Sequence, residues 1–210
     1  MIGYFLRYYD KLFSALLEHI EIVLLTLFIS ILLASVITIL VYRKEAWGNL
    51  IVQIFGAVYS IPSLALFALL IPVTGLGEKT AILVLVLYNQ FLLIRNFLAG
   101  LGSVNPGIIE AAYGMGMSHR QVLTKVQIPL AAPLIIAGIR LSTISTIGIA
   151  TIAATVNAGG LGNLLFDGMR TMNTYKILWG TIFCALIAFL TDGALKQIEN
   201  LIQRKVGIKK

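Results

Sequence analysis

Residues 22–41 read IVLLTLFISILLASVITILV, a run of twenty residues without a charge. A helix of about 20 apolar residues is long enough to cross the hydrocarbon core of a bilayer. Four further stretches approach this length with at most one charged residue each, over 50–71, 80–100, 134–156 and 177–195. The pattern predicts an all-α polytopic membrane protein with about five transmembrane helices.

The composition of the chain favours the same class of protein. Of its 210 residues, 59% are hydrophobic and 12% are charged, and the mean hydropathy is +0.94. The net charge of +7 does not indicate nucleic-acid binding, because Lys and Arg are not gathered on one water-facing surface. The lone Cys184 and two widely separated histidines predict neither a disulfide nor a metal site. No hydrolase motif occurs, so we predict a chain that is not an enzyme.

The distribution of Lys and Arg predicts the orientation in the membrane. The segments after the first, third and fifth spans carry nine of these residues, against five on the other side. Because cytoplasmic loops carry the excess, we expect the N-terminus outside and a basic cytoplasmic tail over 196–210. Residues 1–21 place apolar side chains at helical spacing opposite charged ones, which predicts an N-terminal interfacial helix.

The longest loop, over 101–133, begins with a helix-start signal. Asn105 is a good N-cap, and Pro106 suits the first helical position because its missing N–H would be unpaired there in any case. Apolar residues then follow at helical spacing until Gly114 and Gly116. We therefore predict a short helix that ends at a glycine turn.

A second helix-start signal follows in the same loop. Ser118 and Gln121 stand three residues apart, the spacing of a capping box. We expect the second helix to run to Ile128 and to end at Pro129, because proline cannot donate a helical hydrogen bond. The loop is predicted to be a helix-turn-helix on the cytoplasmic side.

The loop also carries a family signature. It contains Glu110-Ala111-Ala112, three residues, Gly116, nine residues, and Val126-Gln127-Ile128-Pro129. This resembles the EAA motif, E-A-A-x3-G-x9-I-x-L-P, of the membrane subunits of binding-protein-dependent type I ABC importers. The resemblance implies a cytoplasmic coupling loop that docks on a separate ATPase.

The resemblance also implies a role for each residue of the motif. Glu110 would supply a charge-assisted contact to the ATPase. Ala111 and Ala112 would allow close approach, and Gly116 would permit the turn between the helices. Pro129 closes the motif.

Further matches narrow the resemblance to the osmoprotectant branch, whose permeases import glycine betaine, choline and carnitine. These matches are Ile61-Pro62-Ser63-Leu64-Ala65, Ile94-Arg95-Asn96, Ala137-Gly138-Ile139-Arg140 and Ala158-Gly159-Gly160-Leu161-Gly162. The resemblance implies a multi-pass protein of the prokaryotic inner membrane that pairs with a second permease copy or paralogue. It implies an extracytoplasmic solute-binding protein and a cytoplasmic ATPase that binds ATP and Mg²⁺, with no cofactor in this chain.

Two alternatives remain open at this point. The chain could serve an importer of another small solute, such as an amino acid. It could also be an ion-coupled secondary transporter, a class that usually carries acidic residues at the bilayer centre. Asp192 is the one acidic residue within the predicted spans, which disfavours that class.

Three charged residues within the spans are candidates for a structural network. Arg95, Arg140 and Asp192 should lie at similar depth near the cytoplasmic face, where Asp192 could pair with one of the arginines. The alternative is that the arginines extend to the interface.

Polar residues at mid-depth are the candidates for the transport pathway. They are Tyr59, Ser60, Ser63, Tyr88 and Asn89. Aromatic rings suit a trimethylammonium group, and a pathway between two copies would need polar groups on the shared seam. The alternative is that these side chains bond or pack against neighbouring helices, as is common within membranes.

Overall fold

A computed structural model describes residues 1–205 of the chain, and these form helices and turns without a strand. The helices are α1 Ile2–Val41, α2 Glu45–Ser60, α3 Ser63–Thr74, α4 Glu78–Gly102, α5 Pro106–Gly114, α6 His119–Val122, α7 Ile128–Ala150, α8 Leu161–Arg170 and α9 Thr174–Lys205. A π-helical segment, Leu123–Gln127, joins α6 to α7, and a 3₁₀ segment, Ile152–Val156, follows α7. The all-α prediction is confirmed.

Four helical runs are long and apolar enough to cross a membrane, and α2 with α3 makes a fifth if this bent pair counts as one span. The sequence predicted one helix over 50–71, but the structure bends it by 96° between Ser60 and Ser63. Pro62 has no N–H, and it drives Ile61 into an extended conformation with φ −69° and ψ 132°. The second span is therefore broken.

The first helix is longer than predicted. A boundary between an interfacial helix over 1–21 and a span over 22–41 is absent, because α1 runs from Ile2 to Val41 with one non-helical residue, Tyr8. No Gly or Pro occurs between residues 4 and 47, so nothing in the chain interrupts the hydrogen-bond ladder at residue 21.

Pro129 does not end the second helix of the loop, which corrects the prediction. The wider π-helical turn, in which the N–H of Ile128 donates to the carbonyl of Leu123, places Pro129 in the first turn of α7. A proline at this position does not need a backbone N–H group. The wide π-helical turn also relieves the clash between the proline ring and the carbonyl of the preceding turn. The second helix of the loop and the fourth span thus form one continuous helical segment from His119 to Ala150.

Two other boundaries also differ from prediction. The fourth span, expected over 134–156, is α-helical only to Ala150 before the 3₁₀ segment. The fifth span continues as α9 to Lys205, so the first part of the predicted tail is helical. The end of that tail, with Lys209 and Lys210, lies outside the described residues.

Helix α4 occupies the centre of the subunit, between α1 and α7. Leu85 packs with Ile22 of α1 and Ile147 of α7, and Leu93 packs with Ala34 of α1. Helix α2 covers another face of α4, where Gly56 lies against the ring of Phe91. This arrangement buries the middle of α4 and places its polar residues inside the subunit.

Candidate coupling loop and transport pathway

The first helix of the loop is built as its sequence predicts. The side chain of Asn105 accepts a hydrogen bond from the backbone N–H of Gly107 at 2.8 Å, and Pro106 opens α5. The cap satisfies one donor that the first helical turn leaves unpaired. Helix α5 carries the three residues Glu110, Ala111 and Ala112.

A glycine turn and a capping box fix the second helix against the first. Gly116 has a φ of +80°, a conformation that favours glycine, and the N–H of Met117 returns to the carbonyl of Ala112 at 3.2 Å. The Ser118 hydroxyl accepts from the N–H of Gln121, whose side chain accepts from the N–H of Ser118 at 2.8 Å. Local hydrogen bonds thus hold the helix-turn-helix.

The two alanines of the motif face in different directions. Ala112 is 2% exposed, so its methyl group packs inside the loop rather than toward a partner. Glu110 and Ala111 are exposed, as is Met115 at 75%. The accessible surface of the loop therefore contains one acidic residue beside a small and an apolar residue. Met115 belongs to this surface although it is not part of the sequence motif.

A contact across the turn was also not apparent from the sequence. The hydroxyl of Tyr113 lies 2.6 Å from Nδ1 of His119, and the two rings meet edge to face at 5.1 Å. The two residues are six positions apart in the sequence, and residues at this spacing do not face each other on one helix. The reversal of the chain at Gly116 brings the two side chains together. The glycine and the capping box were therefore the sequence features from which this contact could have been predicted.

Two of the three intramembrane charges, Arg140 and Asp192, form a network with Glu199 at the α7–α9 contact. Nε of the Arg140 guanidinium lies 2.7 Å from a carboxylate oxygen of Asp192 as an ion pair, and the NH1 nitrogen donates a hydrogen bond to Glu199 at 2.7 Å. Glu199 lies one heptad beyond Asp192 on α9, outside the predicted span. Sequence reasoning missed it because the span was expected to end at residue 195.

Arg95 takes no part in that network. Its guanidinium carbon lies 5.8 Å from the centre of the Phe91 ring, and no acidic group lies within ion-pair distance among the described residues. Arg95 borders a cavity of about 730 Å³ between α2 and α4, which Glu45, Asn49 and Val52 also line. The two arginines thus have different surroundings.

Two of the five pathway candidates lie inside the subunit. Asn89, 2% exposed, donates to Ser30 at 3.3 Å and accepts from Ser142 at 2.7 Å and Thr146 at 3.0 Å. Tyr88, 3% exposed, donates a hydrogen bond from its hydroxyl group to the carbonyl oxygen of Ile61. Both side chains are buried within the single subunit, and their part in a transport pathway stays a prediction.

The other three candidates lie at the broken span. Ser60 is exposed, whereas Tyr59 and Ser63 are partly buried. The Tyr59 ring meets Tyr88 at 5.5 Å and Phe91 at 5.1 Å. The structure thus brings together the residues around the break and separates them from Asn89.

Helix α8 packs against the start of α1 at the opposite end of the subunit from the loop. The N–H of Gly160 donates to the Glu18 carboxylate at 3.0 Å, where the positive end of α8 favours an acidic group. Lys176 and Arg170 both pair with Asp167, and these contacts hold the pKa of Asp167 below its ordinary value.

Comparison with known proteins identifies the family. A family model described as "Binding-protein-dependent transport system inner membrane component" matches residues 19–207. The chain belongs to this family. It is therefore a multi-pass inner-membrane component of a transport system, and the family resemblance stated from the sequence is confirmed.

Two relatives of this permease illustrate the similarity. The chain is 35% identical over 183 residues to the choline transport system permease protein OpuBB of Bacillus subtilis, covering 87% of this chain and 84% of the relative. It is 32% identical to the osmoprotectant import permease protein OsmW of Salmonella typhimurium, covering 99% of both chains.

A solved structure supports the fold independently. The inward-facing MetNI methionine ABC transporter matches with a TM-score of 0.84 at 21% identity, covering 91% of this chain and 95% of that chain. The observed arrangement of helices is therefore that of an ABC importer permease.

Proposed function

We propose that this permease imports quaternary-amine osmoprotectants, such as glycine betaine, choline or carnitine, as one half of a dimer with itself or a paralogue. An extracytoplasmic binding protein delivers the solute. A separate cytoplasmic ATPase binds ATP and Mg²⁺ and drives the transport cycle. Relatives named for choline and osmoprotectant transport support this solute class.

The exposed Glu110 on the helix-turn-helix is the observation that carries the coupling role. Its carboxylate has no ion-pair partner among the side chains of residues 1–204, which the structure describes, so it is available for a charge-assisted contact to another protein. The loop continues through the π-helical segment into α7. A movement of the loop caused by the ATPase would therefore move α7 as a rigid body. This movement would change the side of the membrane to which the transport pathway is open.

The exposed position of Glu110 makes its proposed coupling role testable by substitution. Glu110→Lys reverses one exposed charge and removes no internal contact, so we expect normal folding and membrane insertion with uptake reduced at least tenfold. The matched control is Asp10→Lys, which reverses an exposed charge on α1. Co-purification of the ATPase with each variant measures docking. Wild-type uptake and docking in Glu110→Lys would refute the role of Glu110.

The solute class is tested with the same proteins. Proteoliposomes containing the permease, its ATPase and its binding protein should take up labelled glycine betaine or choline with ATP inside. Amino acids serve as the comparison solutes. ATP-driven uptake of an amino acid and of neither quaternary amine would refute the proposed class while leaving the importer itself intact.

A further inference from the structure

A cavity of about 340 Å³ lies at the end of the subunit opposite to the coupling loop, between the start of α1, helix α8 and the start of α9. Its volume is in the range of small-ligand pockets, about 300–1,000 Å³. Most of its lining residues are polar or charged, namely Tyr4, Tyr8, Lys11, Asp167, Asn173 and Lys176. Neither the coupling loop nor the broken span contributes to this cavity.

One face of α1 forms a wall of the cavity. Tyr4, Tyr8 and Lys11 follow one another at spacings of four and three residues, so their side chains lie on the same side of the helix. The one non-helical residue inside α1, Tyr8, belongs to this wall. Asp167 comes from α8, and Asn173 and Lys176 come from the turn into α9. Three separate segments thus place polar groups around one space.

The polar groups of the cavity that remain free are able to donate hydrogen bonds. The side-chain oxygen of Asn173 accepts from two backbone N–H groups in the first turn of α9, at 3.1 and 3.3 Å, which leaves its NH₂ group free. Among the described residues, the hydroxyls of Tyr4 and Tyr8 and the ammonium group of Lys11 have no hydrogen-bond or ion-pair partner. Such groups suit a ligand that presents acceptor oxygens.

The charge around the cavity is positive. Its acidic residue, Asp167, pairs with both Lys176 and Arg170, the latter at 3.0 Å. Two positive charges therefore stand against one negative charge, and Lys11 adds a further positive charge. Asp10, the acidic neighbour of Lys11 in the chain, does not line the cavity. This balance favours an anionic ligand.

The tyrosine rings beside the cavity already have partners. The ring of Tyr4 packs with those of Tyr8 at 4.7 Å and Tyr175 at 5.8 Å. The guanidinium carbon of Arg7 lies 5.6 Å from the centre of the Tyr8 ring. A quaternary ammonium group needs an open aromatic face, and this cluster has its own cation there. The hydroxyl groups rather than the ring faces are thus available to a ligand.

The cavity lies at the level where α9 enters the membrane. Trp179 is one turn after Lys176, and its ring packs with Phe5 at 4.8 Å. Tryptophan and tyrosine are enriched at the depth of the lipid headgroups. The tyrosines of the cavity and Trp179 therefore indicate that a phospholipid headgroup is the anion within reach.

An exposed apolar stripe on α9 begins beside the cavity. Tyr175, Leu178, Ile182 and Leu186 share one helical face and are each 38–48% exposed. Such a stripe on a membrane-spanning helix suits contact with acyl chains. A phospholipid can place its chains along this stripe and its phosphate in the cavity, because Tyr175 packs on Tyr4 in the cavity wall.

From these observations we infer that the cavity binds the phosphate group of an anionic phospholipid, in the leaflet opposite to the coupling loop. The ammonium groups of Lys11 and Lys176 and the hydroxyls of Tyr4 and Tyr8 donate to the phosphate oxygens. Phosphatidylglycerol fits this site because the rest of its headgroup is uncharged. A choline headgroup would bring a second cation close to Lys11. The bound lipid would hold the start of α1 against α8 and α9, whatever solute the permease carries.

The test measures lipid affinity by native mass spectrometry of the detergent-purified permease–ATPase complex, titrated with phosphatidylglycerol or phosphatidylcholine of the same chain length. Wild-type protein should bind phosphatidylglycerol about fivefold more tightly, and Lys11→Gln should weaken that lipid about fivefold. Tyr8→Phe removes one hydroxyl and should weaken it about 3- to 10-fold. The matched controls are Lys79→Gln, exposed at the same end of the subunit, and Tyr9→Phe, exposed outside the cavity.

Two further measurements define the ligand and the role of charge. Inorganic phosphate and glycerol 3-phosphate offer the same oxygens without acyl chains, so neither should displace phosphatidylglycerol at millimolar concentration. Lys11→Arg keeps the positive charge and should bind phosphatidylglycerol like the wild type. Size-exclusion chromatography with fluorescence detection checks that each variant is folded.

Three results would overturn the inference. The first is equal affinity of the wild type for the two phospholipids. The second is an effect of Lys11→Gln no larger than that of Lys79→Gln, together with an effect of Tyr8→Phe no larger than that of Tyr9→Phe. The third is displacement of phosphatidylglycerol by inorganic phosphate, which would assign the cavity to a free anion instead of a lipid. None of these results bears on the proposed solute.

Discussion

Neutralising Arg140 should destabilise the permease far more than neutralising Asp192, although the two residues form one ion pair. Arg140 also pairs with Glu199, so the network carries two negative charges and one positive charge. Arg140→Gln leaves two carboxylates on one face of α9 without a counter-charge. Asp192→Asn leaves the neutral pair Arg140–Glu199 and removes the repulsion between the carboxylates.

The exposure of the side chains sets the size of the effect. Two unit charges about 4 Å apart attract by about 4 kcal/mol at an effective dielectric constant of 20. Solvent screening and desolvation reduce this, since the Arg140, Asp192 and Glu199 side chains are 30%, 37% and 17% exposed. With up to about 1 kcal/mol remaining per contact, Arg140→Gln loses two contacts and should cost about 1–2 kcal/mol, whereas Asp192→Asn loses one contact and a repulsion and should cost less than about 0.5 kcal/mol.

Thermal unfolding of the detergent-solubilised protein, followed by fluorescence-detected size-exclusion chromatography, measures both variants and their combination. A loss of 1 kcal/mol lowers the melting temperature by about 2–4 °C in a chain of this size. The double variant should be less destabilised than the sum of the singles. The control is Arg43→Gln, an exposed arginine outside the network. Equal costs for the two single variants, or strict additivity, would refute the three-charge reasoning.

Two further predictions concern the packing of α8. Gly162→Ala should cost about 1–3 kcal/mol in unfolding experiments, because its new methyl group would overlap the backbone carbonyl of Thr151, directly after α7. Gly148→Ala, where nothing lies within 4 Å, should be neutral, and equal costs would contradict the close packing. Lys176→Met should lower the melting temperature at pH 7. Because the pKa of Asp167 is lowered in the folded state, this difference should disappear as the pH falls through that lowered pKa; a difference that persists once Asp167 is protonated would refute the assigned pair.

The sequence by itself was sufficient for the class of fold and for the caps and the turn of the helix-turn-helix in the long loop. Apolar runs near the bilayer thickness identify spans because such a run satisfies all its backbone hydrogen bonds within lipid when it forms a helix. The caps at Asn105 and Ser118 and the turn at Gly116 appear as predicted because each depends on hydrogen bonds within a few residues. Such local chemistry is readable without knowledge of the tertiary structure.

Other features required the packed subunit. Asn89 is a polar residue at mid-depth in either interpretation, and only the positions of α1 and α7 show that its amide is satisfied inside the subunit. The choice of Arg140 rather than Arg95 as the partner of Asp192, and the participation of Glu199, depend on which face of α9 meets α7. Sequence spacing indicates the face of one helix, but the neighbour that covers this face is decided by packing between distant segments, so only the tertiary structure determines it.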